Sequence, residues 1–106
     1  MPQSVESTVL IDFSEATVIA GFVTDTYILT VEGNKPYVNM QVSLIPRIYV
    51  VQPEYWEIEV VGSLPGIGLP ALKAYSVFIP LEGIRGKKGI KVIGSNQELS
   101  IDVPAL

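Results

Sequence analysis

The residues best able to do chemistry are three acids in the stretch Pro53-Glu54-Tyr55-Trp56-Glu57-Ile58-Glu59-Val60-Val61-Gly62. Glu57 and Glu59 are two apart, so on a strand they share a face with side chains about 7 Å apart. Two carboxylates at about 5–9.5 Å can serve as acid and base in glycoside hydrolysis. They can also hold a hard cation such as calcium. Both chemistries need further groups converging from elsewhere, and the local sequence supplies none. The same residue types also suit the wet face of a half-buried strand, and that is the favoured reading.

Two other groups carry ligand-binding potential. Tyr55, on the Glu57 and Glu59 face, offers a ring for stacking a sugar. Arg85-Gly86-Lys87-Lys88-Gly89 places cations among glycines, where main-chain amides can cradle phosphate or sulfate. That turn lacks the P-loop pattern, and no helix is expected after it. A basic turn also serves solubility and edge protection.

Much chemistry is excluded outright. The chain has no cysteine and no histidine. Disulfide frameworks, thiol nucleophiles and His-based dyads are therefore impossible. No serine has a local basic partner. No cofactor or metal is expected, and the enzyme class is disfavoured.

The elements that would position these residues are strands. Valine and isoleucine dominate the composition and alanine is scarce, which favours pleated structure over helix. Trp56, Ile58 and Val60 alternate with Tyr55, Glu57 and Glu59, the period of a strand with one buried face. Trp56 is expected at the centre of the core. Further strands are predicted over Val5–Phe13, Ala16–Thr24, Tyr27–Glu32, Tyr37–Ile45, Arg47–Gln52, Leu72–Leu81, Gly89–Ile93 and Glu98–Val103. Val9, Ile11 and Phe13, then Val18, Ala20 and Phe22, and later Leu99, Ile101 and Val103, are expected to face inward. Gly33-Asn34-Lys35-Pro36 has turn chemistry, so Tyr27–Glu32 and Tyr37–Ile45 are predicted to form a hairpin. Residues 62–71 are predicted to be one long loop, held irregular by glycine and proline.

The chain of 106 residues is expected to be a single all-β domain, with Met1–Ser4 frayed. Short strands at regular spacing predict a single antiparallel β-sandwich of about seven to nine strands. A small flattened barrel is the alternative. The longest uncharged run, Val60–Leu72, contains Pro65 and Pro70 and is too short to span a bilayer as a helix. No basic residue precedes Lys35, so no signal peptide is apparent. A soluble, cytoplasmic protein without a membrane partner is expected. The net charge of −4 argues against nucleic acid.

The low charged fraction of 17 % and the apolar loop point to self-association. Leu64, Ile67, Leu69 and Phe78 are the predicted contact residues, joined by outward Ile19, Val23, Ile28, Ile45 and Val61. The leading expectation is a non-enzymatic homo-oligomeric module acting in assembly or scaffolding, with another protein as a further possible partner. The alternatives are a carbohydrate- or anion-binding module using Tyr55, Glu57, Glu59, Arg85, Lys87 and Lys88, and a carboxylate-pair hydrolase.

Overall fold

The computed structural model describes residues 7–104. The frayed end expected for Met1–Ser4 lies outside them. The described residues form eight strands and no helix: β1 (Ser7–Leu10), β2 (Glu15–Ala20), β3 (Tyr27–Tyr37), β4 (Gln41–Pro46), β5 (Tyr55–Leu64), β6 (Pro70–Pro80), β7 (Gly89–Ile93) and β8 (Glu98–Asp102). No helix there is long and apolar enough to cross a membrane.

The strands make two sheets packed face to face, not a closed barrel. In the first, β5 is central, with β4 along one side. Its other side is shared end to end by β7, against Tyr55–Glu59, and β1, against Val61–Leu64. β8 completes this sheet beside β7. The second sheet runs β2-β3-β6. Alternation sends Ile58 and Val60 of β5, Ile90 and Val92 of β7, and Leu29 and Val31 of β3 into the space between the sheets, where all six are fully buried.

Several expectations need correction. β5 and β7 run parallel, so the sandwich is mixed where a wholly antiparallel one was expected. The predicted hairpin of 27–32 with 37–45 does not form. Gly33–Tyr37 continues β3 and pairs with β6, while β4 crosses to the other sheet. A tertiary contact explains the glycine: a Cβ on Gly33 would lie 2.8 Å from the Tyr75 hydroxyl and 3.0 Å from Phe13 Cα. Residues 47–52 form no strand and belong to the β4–β5 connection. The predicted 62–71 loop shrinks to 65–69, because β5 continues through Leu64 and β6 begins at Pro70.

Trp56 lies at the rim of the core, half-buried. Its indole N–H donates to the Arg47 carbonyl at 2.9 Å, and Tyr49 meets its ring edge-on at 5.1 Å. A buried indole must satisfy that donor; the rim next to a connection provides the partner, and the strictly apolar centre does not. Val9, Phe22 and Leu99 were expected inward and are exposed. Phe22 falls in the β2–β3 connection, past the end of β2.

The crossing from β1 to β2 is tied down by polar side chains. The Phe13 amide donates to Asn96 Oδ1 at 3.2 Å. Asn96 Nδ2 and Gln97 Nε2 donate to the Phe13 carbonyl at 3.0 and 2.9 Å. Asn96 thus mimics a neighbouring strand where none exists, satisfying a main chain that leaves one sheet for the other. The Phe13 ring fills the space below and is among the largest fully buried side chains.

Candidate interaction surface

The paired carboxylates occupy the outer face of the first sheet, where alternation along β5 places them. After Pro46 the Arg47 amide donates to the Glu57 carbonyl at 2.9 Å and continues the β4–β5 ladder. That swings the Arg47 guanidinium over the same face. It meets Glu57 and Glu59 at 3.0 Å each. The hydrogen bond that Arg47 donates to Glu59, with the charge of Glu57, holds Arg47 above its ordinary pKa. One fixed cation therefore occupies the space between the acids that a scissile bond or a metal would need. Among the described residues no cluster of three or more His, Cys, Asp or Glu side chains could hold a metal ion. Tyr55 donates its hydroxyl to Asp102 at 2.7 Å across the sheet, and this hydrogen bond raises its pKa.

The basic turn is equally committed. The amides of Gly86, Lys87, Lys88 and Gly89 donate to main-chain carbonyls of Gly89, Pro53 and Glu54, leaving no amide nest for an anion. The Arg85 guanidinium lies 5.3 Å from the centre of the Tyr27 ring and donates to the carbonyls of Pro104 and Asp25. Lys88 sits 3.5 Å from Glu54, and Lys87 is exposed. Arg85 acts as a pin: it joins the β2–β3 connection to the chain after β8, and Gln52 of the β4–β5 connection bonds its carbonyl at 2.8 Å.

A cavity of about 210 Å³ opens beside the β1–β2 crossing, lined by Ile11, Asp12, Asn34, Pro36, Leu72 and Ser95. This is below the roughly 300–1,000 Å³ of small-molecule sites. Ser95 Oγ donates to Asp12, and Tyr75 donates its hydroxyl to the Asp12 carbonyl at 2.6 Å. Burial, with a contribution from Asp12, pushes the Tyr75 pKa up to about 12. The hydroxyl is a neutral structural donor there.

That shift gives a pH dependence with a definite sign. The folded chain holds the Tyr75 proton more tightly than the unfolded chain, where the pKa is about 10. The stabilisation is complete below about pH 10 and is lost as pH rises through about 12. Urea unfolding at a series of pH values should show wild-type stability falling across this window more steeply than that of Tyr75→Phe. Equal slopes for the two proteins would refute the assignment.

The predicted contact residues are not all brought together. Leu64 is half-buried, ends β5 and packs on the core, so it is not free for contact. Ile67 and Leu69 are exposed on the short loop. That loop is held in place: Asn39 donates to the Ile67 carbonyl at 2.9 Å and accepts from the Leu69 amide at 2.9 Å. Phe78 projects from the outer face of the second sheet. Cross-strand register there aligns Ile19, Ile28 and Pro80 in one row, and Thr17, Thr30 and Phe78 in the next. The other outward residues divide elsewhere: Ile45 and Val61 belong to the opposite sheet, Val61 is buried, and Val23 lies in the β2–β3 connection.

Two groups of exposed apolar residues escaped the sequence reading. Leu72 precedes Phe78 on β6, beside the extra residue that β6 carries between Pro70 and Lys73. At the end of the sandwich pinned by Arg85, Phe22, Ile48 and Val50 are essentially fully exposed, at 108 %, 97 % and 103 % of the reference area. Pro46 and Pro53, which bracket residues 47–52, were the available signal that this β-branched run is a connection. No protein family matches this chain, and no curated protein or solved structure does so either.

Proposed function

We propose that this chain is a non-enzymatic β-sandwich module that works by self-association, in assembly or scaffolding. The observation that carries this reading is the apolar surface along β6, where Ile67, Leu69, Leu72 and Phe78 are exposed on one strand and the loop leading into it. Exposed apolar side chains gathered in one region of a protein mark a contact surface. The carboxylates occupied by Arg47 and the consumed amides of the basic turn support recognition by surface over chemistry on a bound ligand.

Solution mass by light scattering across a concentration range tests it. A mass above one chain of 11.5 kDa, rising with concentration, is expected. A single-chain mass at every concentration would refute it. The variant Ile48→Glu with Val50→Glu changes the distant connection and should leave the mass unchanged; loss of association there would move the interface to that end.

A further inference from the structure

We infer that two copies join through the free edge of β6, in antiparallel register about Tyr75, to make one continuous six-stranded sheet with three strands from each copy. This rests on the self-association proposed above and names its contact.

The described residues contain five strands with an open edge: β1, β2, β4, β6 and β8. An open edge presents alternating unpaired N–H and C=O groups, and proteins blunt it with shortness, charge or proline. β2 has six residues and carries Glu15. β4 has six and ends at Pro46. β8 has five, with Glu98 and Asp102 at its ends. β1 has only four residues. β6 differs from all four. It has eleven residues, its prolines stand only at its termini, and Lys73 is its sole charge. It pairs with β3 on one side and with no described strand on the other. The chemistry that satisfies such an edge is another extended strand.

A second copy of β6 is a self-complementary occupant. A two-fold axis normal to the sheet keeps outward residues outward, so only registers that pair residues of the same face are allowed. Centred on Tyr75, Leu72 stands opposite Phe78 of the second copy, and Phe78 opposite its Leu72. Ala74 meets Ser76 twice, and Lys73 meets Val77. Leu72 and Phe78 are 78 % and 70 % exposed in the single chain, so this register covers the two exposed large apolar side chains of the strand. Centring on Ser76 sets Phe78 against Ala74 and Leu72 against Pro80. Centring on Ala74 sets Leu72 against Ser76 and Phe78 against Pro70. Centring on Lys73 opposes two like charges, which is unfavourable. Of the registers centred from Lys73 to Ser76, only the one about Tyr75 pairs Leu72 with Phe78.

Charge substitutions read this register directly. Each change occurs twice in a symmetric pair, so Leu72→Glu or Phe78→Glu should weaken association by about tenfold or more. Leu72→Lys combined with Phe78→Glu in one chain should restore it, because position 72 faces position 78 of the other copy. The chain has no cysteine, so Ala74→Cys with Ser76→Cys should give a covalent dimer on oxidation. Both charged positions are exposed, so each variant should still unfold cooperatively, with a melting temperature that no longer rises with concentration, and loss of fold is separable from loss of contact. If the wild type associates while the single charges have no effect and the cysteine variant stays uncrosslinked, the β6 contact is wrong and self-association stands. If the single charges weaken association without rescue and without crosslinking, the sheets stack by their faces and edge pairing is refuted. A wild type that is a single chain throughout refutes both proposals.

Discussion

Phe13→Ala should lower the free energy of unfolding by about 3–5 kcal/mol, the cost of removing a buried phenylalanine without refilling its space. Phe13 is 1 % exposed. It sits where the chain passes between sheets, and its neighbours are held from three directions. Gly94 lies so close that a Cβ there would come 2.5 Å from the ring edge. Gly33 presses on its main chain from β3, and Asn96 and Gln97 grip its peptide groups. Such a site is braced and collapses little around a deleted ring, which places the cost toward the upper end. A domain of this size has about 5–15 kcal/mol in total, so the variant should be partly unfolded at modest urea concentrations. Phe22→Ala, removing the same ring from a fully exposed position away from β6, should change stability by less than about 0.5 kcal/mol. Urea titrations of both variants make the comparison. A loss below about 1 kcal/mol for Phe13→Ala would mean that the crossing is not the braced core site described.

Gly89→Ala should be the second costly change, and for the opposite reason. Gly89 starts β7 between two strands, paired with Tyr55 on one side and Asp102 on the other. An added Cβ would run into the Ile101 carbonyl oxygen and lie 2.9 Å from Asp102 Cα. Both obstacles are main chain, so no side-chain rotation relieves them; β8 must move away from β7. Overpacking of this kind costs about 1–3 kcal/mol and sometimes more. The shift should also be visible as faster amide exchange along β8. Gly66→Ala is the control, because nothing lies within 4 Å of its Cβ position. It should be neutral or slightly stabilising through the unfolded chain. Similar effects at the two glycines would refute the close approach at Gly89.

The alternation of Ile58 and Val60 with Glu57 and Glu59 was legible because strand periodicity depends only on neighbours along the chain. It located the central strand and the wet face. Phe78 as an outward residue, and Pro80 as the mark of an edge, were legible on the same grounds. What depends on distant partners was not. Gly33-Asn34-Lys35-Pro36 has the residue preferences of a turn, yet Tyr75 and Phe13 demand a small residue at Gly33 within a strand. Ile48 to Val51 has strand composition, but the prolines on either side leave it no partner. The local sequence shows no cation between Glu57 and Glu59. Arg47 reaches them only because the β4–β5 ladder persists one residue beyond Pro46. The free edge of β6 required knowing that β3 pairs away from β4.

The parallel contact of β5 with β7 has a consequence for the order in which the molecule can form. Three pairings, β2–β3, β4–β5 and β7–β8, join strands that follow one another, and hairpins of this kind close in about 1–10 μs. β5 and β7 cannot close that way, since parallel neighbours need a crossover. Here the crossover is β6, which belongs to the opposite sheet. The first sheet gains its last two strands only when the chain has also traversed the second. Topologies dominated by such distant pairings fold in milliseconds to seconds. During that interval β6 waits with both edges open until β3 covers one of them.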